Sequence, residues 1–141
     1  MRSLLDVSTL LALLDSDHIH HNRAKSWLIS EENRDWASCP ITQNGFVRVI
    51  SQSSYPNPIS VFHAVRLFGS AAGTSFHEFW ADDLSLLDDS IDHTRIHGPK
   101  QLTDAYLLAL AIKHKGRLVA LDRSIDRLAV RGATPDHLVL L

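Results

Sequence analysis

From the amino terminus, short apolar runs alternate with segments whose apolar residues recur at helical spacing. Ser3–Leu5 is one such run, closed by Asp6. Ser8-Thr9 followed by Leu10, Leu11, Leu13 and Leu14 then predicts a buried strand turning directly into a helix, with Ser8 as N-cap. Ala24, Trp27 and Leu28 predict a second helix over residues 20–31, its turn begun by Asp17. Residues 36–39 read as a strand ended by Pro40, and Thr42 as the cap of a third helix with Phe46, Val47, Val49 and Ile50 inside. Gly45 within it costs about 1 kcal/mol relative to alanine, which predicts an irregular start.

Tyr55-Pro56-Asn57-Pro58 predicts a turn, with Asn57 capping and Pro58 opening a fourth helix whose core stripe is Val61, Phe62, Val65 and Phe68. Gly69 or Gly73 ends it. Residues 76–80 read as a short strand, and 82–100 as polar loop with one turn of helix, stopped by Gly98-Pro99. Residues 102–115 form the clearest helix, apolar on nearly every side from Ala105 to Ile112 and therefore buried on more than one side, with Gly116 closing it. A strand over 117–121, a helix over 124–130 and a strand over 137–141 follow. Strand and helix alternate, which predicts an α/β class with a parallel sheet and right-handed crossovers.

A length of 141 residues predicts one domain spanning 1–141. With 45% hydrophobic and 21% charged residues, a disordered or fibrous chain is excluded. The lone Cys39 excludes an intramolecular disulfide, and a reducing cytoplasm is the expected compartment. No stretch approaches the ~18–20 apolar residues of a membrane helix, so no membrane partner is expected. The net charge of −2 speaks against a broad basic surface; contact with a nucleic acid must use a local patch.

The chemistry lies where carboxylates interrupt apolar sequence. Asp6 and Asp122 each end a predicted strand, and Asp104 opens the buried helix. In an open parallel sheet, ligands bind beyond the carboxyl ends of the strands, where strand order reverses. Two carboxylates ~4 Å apart repel by about 4 kcal/mol at an effective dielectric of 20. A cluster there calls for a cation, a shared proton or basic partners, and Mg²⁺ or Mn²⁺ suits its oxygen donors. The plain alternative is that each aspartate caps a helix or closes a turn. Arg48, Lys100 and Arg123 stand near these residues as candidate phosphate contacts, with solvated surface charge as the alternative and, for Arg48, an interior ion pair. His18, His20 and His21 invite a zinc reading, but Cys39 supplies no thiolate pair, and exposed histidines at a helix start fit better. Trp27, Trp36, Trp80 and the phenylalanines can stack bases, yet the spacing of Trp27, Phe62 and Phe68 suits helix cores.

Four stretches, in order along the chain, resemble PIN-domain ribonucleases of the VapC toxin type. They are residues 4–14 (Leu-Leu-Asp-Val-Ser-Thr-Leu-Leu-Ala-Leu-Leu), 39–49 (Cys-Pro-Ile-Thr-Gln-Asn-Gly-Phe-Val-Arg-Val), 102–111 (Leu-Thr-Asp-Ala-Tyr-Leu-Leu-Ala-Leu-Ala) and 119–123 (Val-Ala-Leu-Asp-Arg). His77-Glu78-Phe79-Trp80 is similar to one bacterial branch. The resemblance implies a three-layer α/β/α fold with about five parallel strands in the order 3-2-1-4-5. It implies a metal-dependent endoribonuclease acting on tRNA or rRNA, a homodimer, and a VapB-like antitoxin as partner. By motif position Asp6, Asp104 and Asp122 become Mg²⁺ or Mn²⁺ ligands, with the Ser8 hydroxyl beside them. One departure stands out: where the family commonly has Thr-Glu, this chain has Thr42-Gln43, and no acid occurs between Asp35 and Glu78. Gln43 can offer only a neutral oxygen, so the alternative function is a catalytically weak PIN-fold module that binds antitoxin or RNA. A receiver domain and an aspartate-nucleophile phosphatase fit less well: the first wants paired acids at the first strand end, the second an Asp where Ser8 stands.

Overall fold

A computed structural model describes residues 1–32 and 34–141. Five short strands, β1 (Ser3–Leu5), β2 (Trp36–Ser38), β3 (His77–Phe79), β4 (Arg117–Ala120) and β5 (Leu138–Leu140), form one sheet in the order β3-β2-β1-β4-β5. Every neighbouring pair is parallel, with Leu4 level with Ala37 on one side and Leu118 on the other. The predicted order and class are therefore those observed. Side chains alternate faces along each strand. Leu4, Ala37, Leu118 and Ala120 pack into one core with α5 (Pro99–Lys113), while Leu5, Trp36 and Val119 pack into the other. That second core holds Leu10, Ala24, Phe46 and Phe68 from α1 (Val7–Leu14), α2 (His21–Ser30), α3 (Pro40–Ile50) and α4 (Val61–Ala72). β1 is buried on both faces, which is why it reads as an uninterrupted apolar run.

Several element boundaries differ from the sequence expectation, each for a local reason. Asp6, not Ser8, caps α1: its side chain accepts the Thr9 N–H. α3 begins at Pro40 with Cys39 as N-cap, and Thr42 is its third residue, its hydroxyl oxygen accepting the Cys39 N–H. The helix runs regularly through Gly45, where a Cβ would come within 2.5 Å of Val7 Cγ2, so glycine permits the close approach of α1 and α3. Asn57 takes φ 55°, a left-handed conformation unsuited to an N-cap, and Ser60 caps α4 instead. The predicted stripe divides as a result: Ala64 and Phe68 are buried, but Val61, Phe62 and Val65 are 58%, 66% and 54% exposed. Gly98-Pro99 starts α5 rather than stopping a loop, with proline at the first helical position. Of residues 124–130 only Arg127–Ala129 forms a helical turn, of the 3-10 type. The loop before α5 does hold the single expected turn, His93–Arg95.

Basic residues clip the amino-terminal edge of the sheet. Arg2 pairs with Asp35 (3.6 Å) and Glu78 (3.2 Å), and Arg117 with Glu31 (3.0 Å). Behind them the chain leaves α5 through Lys115 (φ 59°), which takes the left-handed position expected of Gly116. Gly116 is needed for another reason: a Cβ there would lie 2.5 Å from the Arg2 carbonyl oxygen and 2.6 Å from Trp80. Because the first obstacle is backbone, Gly116→Ala is expected to destabilise the fold by about 1–3 kcal/mol, read as a lowered urea midpoint with an unchanged slope.

Candidate active site

Strand order reverses beside β1: the chain moves from β1 to β2 and β3 on one side, then returns to β4 and β5 on the other. The crevice beyond the carboxyl ends of β1 and β4 is where loops diverge and a ligand finds room. Asp6 directly follows β1, and Asp122 lies two residues beyond β4. Asp104 comes from α5, which crosses the same sheet and contacts both strands.

The three carboxyls differ in how they are held. Asp6 is 6% exposed. Its Oδ1 accepts the Thr9 N–H at 2.8 Å, and the Ser8 hydroxyl donates to its oxygens at 2.9 Å. Thr9 in turn donates its hydroxyl to the Val119 carbonyl (3.1 Å), tying the α1 start to β4. Burial raises the Asp6 pKa; the Thr9 and Ser8 hydrogen bonds oppose this, and the charge of Asp122 adds to it. Asp122 is exposed and accepts the Ser124 N–H (2.8 Å), and that bond, with Lys100 nearby, holds its carboxyl below the usual range. Asp104 sits in the second turn of α5, five residues past Pro99, too far along to be explained as a cap. No hydrogen bond from a described residue reaches its carboxyl. Burial, then Asp6, then Asp122 push its pKa up to about 6. The capping and turn roles weighed for Asp6 and Asp122 are thus real, and they coexist with a shared electrostatic field. Asp104 has no structural role of that kind.

Ser8 and Lys100 are brought to these acids, through hydrogen bonds to Asp6 and charge facing Asp122. Arg123 follows Asp122 on the exposed side of the same turn. Arg48 is not gathered in: it stands exposed in the last turn of α3, about 7.5 Å along the helix axis from Gln43, and forms no interior ion pair among the described residues. Gln43 lies in the first turns of α3, beyond the end of β2, and its amide donates to Ser38 Oγ at 3.0 Å. The His18 and His20 rings lie tilted to one another at the α1–α2 turn, where the His20 N–H donates to His18 Nδ1, and His21 reaches the Ala12 carbonyl. Phe62 is exposed, contrary to the core reading, whereas Phe68 and Trp80 are buried.

One acid was missed. Asp82 follows β3 by three residues, and its Oδ1 is buried without a hydrogen-bond partner among the described residues. It faces the Cys39 thiol, which burial first and Asp82 in part push up to about 11, and also the Tyr106 hydroxyl. The rule that singled out Asp6 and Asp122, an acid just past an apolar strand, also finds Asp82 after Phe79-Trp80. The polar character of residues 82–100 hid it.

Among the described residues no three His, Cys, Asp or Glu side chains are arranged to hold an ion outright. The donors nevertheless suit a hard divalent cation: all are carboxylate oxygens, and their mutual repulsion is what such an ion relieves. Mg²⁺ keeps several of its waters, so the acids need not touch it all at once. A cavity of about 420 Å³ lies away from this chemistry, lined by Leu10, Leu13, Leu14, Leu28 and Trp36 with Lys25 at its rim. Its apolar walls offer no carboxylate.

The family model for the PIN domain matches residues 3–131. The chain is 59% identical over 142 residues to Ribonuclease VapC44 of Mycobacterium tuberculosis, covering 100% of both chains. It is 40% identical to Ribonuclease VapC38 of the same organism over 141 residues, 99% of each. The crystal structure of Mycobacterium tuberculosis VapC20, a sarcin-ricin loop cleaving toxin, superposes with a TM-score of 0.59 over 82% of this chain and 85% of that one, at 12% identity, a likeness of fold alone.

Because the raised carboxyl of Asp104 is more stable protonated when folded, its contribution to stability is full below pH 3.8 and lost as pH rises through about 6. Asp104→Asn is therefore expected to raise the melting temperature at pH 7.5, by about 3 °C if screening leaves about 1 kcal/mol of the combined desolvation cost and repulsion. Near pH 4 the gain should vanish; thermal unfolding in chelator at the two pH values checks this.

Proposed function

The chain belongs to the PIN-domain family, among the VapC-type ribonucleases, and from that premise we propose a divalent-metal-dependent endoribonuclease that hydrolyses RNA phosphodiester bonds at Asp6, Asp104 and Asp122. The observation that carries the assignment is Asp104: a half-buried carboxyl without a hydrogen-bond donor among the described residues, pushed to a pKa of about 6 by burial first and then by Asp6 and Asp122. A neutral residue there would favour the fold at neutral pH.

Asp6, Asp104 and Asp122 are the residues that would hold Mg²⁺ or Mn²⁺. When bound, such an ion neutralises the acids, polarises a phosphate oxygen and lowers the pKa of a coordinated water. The chain's own groups do the rest. Ser8 and the Thr9 N–H hold Asp6 in one orientation and favour its ionised form, against a burial that raises its pKa overall. The Ser124 N–H keeps Asp122 ionised, and Lys100 beside it offers a cation for an RNA phosphate. Arg123 extends that basic edge, a local patch on a chain whose net charge is −2. With Gln43 neutral, the site carries one negative charge fewer than the family's usual set, which weakens a second metal more than the first.

The partners that follow are an RNA of the tRNA or rRNA class, a VapB-like antitoxin and a second copy of the chain, in the cytoplasm, with residues 1–141 acting as one domain. No helix among the described residues is long and apolar enough to cross a membrane.

Purified protein is expected to cleave structured RNA with Mg²⁺ or Mn²⁺ and to stop on exhaustive chelation. Asp6→Asn or Asp104→Asn should lower the rate at least about 100-fold. Cleavage that survives chelation, or that both variants retain, would contradict the assignment.

A further inference from the structure

The hydrogen bonds around Gln43 have a direction that can be worked out. Ser38 Oγ receives the Gln43 amide at 3.0 Å and lies 2.8 Å from His77 Nε2. His77 also hydrogen-bonds the Ala72 backbone, whose carbonyl only accepts; with Nε2 turned to Ser38, we assign that bond to Nδ1, which then carries the hydrogen. In the neutral ring Nε2 is then the acceptor, and the one hydroxyl hydrogen of Ser38 goes to it. The Ser38 oxygen is left to receive an N–H, which only the NH₂ end of Gln43 supplies. Gln43 Oε1 is thereby turned away from Ser38, and no donor among the described residues reaches it.

We propose that Ser38 and His77 are positioning residues that lock the Gln43 amide with its carbonyl oxygen presented beyond the end of β2, as a neutral acceptor for a hydroxyl or water hydrogen at the acid site. This rests on reading that site as the place of RNA hydrolysis. β2 lies beside β1, so Gln43 stands one strand over from Asp6. Ser38 is fully buried, and the His77 ring is packed against Trp36 (4.5 Å between ring centres) and edge-on to Phe68 (6.4 Å). The chain of bonds is therefore built in rather than formed at the surface. The charged groups that bear on His77 are Arg2, ahead of β1, and Glu78 on β3; α4 brings the Phe68 ring and the Ala72 carbonyl to it. Burial first, and Arg2 next, keep the ring neutral, which preserves the direction.

Glutamate at position 43 does more than restore a charge. A carboxylate has no hydrogen to give, so the Ser38 hydroxyl must turn to it. His77 Nε2 then loses its donor unless the ring takes up a proton. Gln43→Glu thus couples position 43 to the protonation of His77.

Long-range ¹H–¹⁵N spectra of the full chain across pH 5–8 test this without reference to catalysis. In the wild type His77 is expected in the Nδ1–H form at pH 7. Gln43→Glu should raise its titration midpoint by at least about one unit, a tenfold gain in proton affinity. Gln43→Ala should give no such rise, and Ser38→Ala added to Gln43→Glu should abolish it. RNA cleavage by Gln43→Glu should follow the His77 midpoint, as wild-type cleavage does not. An Nε2–H form in the wild type, or a folded Gln43→Glu protein whose His77 midpoint or cleavage profile stays put, overturns the proposal. If the spectra behave as expected while no variant cleaves RNA, the hydrogen-bond direction stands, but the positioning role falls with the nuclease assignment.

Discussion

A single carboxyl joins the two layers of this protein's chemistry. Asp6 ends the central strand, caps the helix that follows and is the most buried member of the acid set. Its capping bond answers one of the N–H groups that a helix start leaves unsatisfied. The same bond, with the Ser8 hydroxyl, supports an ionised carboxylate where desolvation opposes one. The Thr9 hydroxyl then secures the junction to β4, on whose far end Asp122 stands.

The other acids are poised differently because different elements carry them. Asp122, on an exposed turn, has a local N–H and a nearby lysine, and remains a strong acid. Asp104 directly precedes the stretch of α5 buried from Ala105 to Ala111, so its position is fixed whether or not the carboxyl finds a partner. The apolar burial of α5 holds a charge in an unfavourable place. That is how folds store the repulsion that a cation or a phosphate-bearing ligand relieves. A buried apolar helix is here the means of placing an acid.

Which residues of α4 face the sheet is set by how the helix is rotated on it, which hydrophobicity alone does not fix. Val61, Phe62 and Val65 were grouped with Phe68 by hydrophobicity, yet Ala64 and Phe68 face inward and the other three face out. Caps were misplaced wherever two polar candidates stood close together: Ser8 beside Asp6, and Asn57 three residues before Ser60. Backbone dihedrals decide between such candidates, and those depend on where the neighbouring strand ends.

Local sequence by itself determined where the five strands and the main helices lie, to within a few residues, their α/β alternation and the placing of acids directly after apolar runs. Each of these depends on side-chain periodicity or on residues a few positions apart. Only tertiary structure decided that Asp104 feels Asp6 and Asp122, that Arg48 faces away, that Gln43 is bound through Ser38 to His77, and that Asp82 lies half-hidden beside Cys39. These groups are separated by tens of residues along the chain. Their distances follow from strand order and from the direction in which α5 crosses the sheet, quantities that no window of sequence contains.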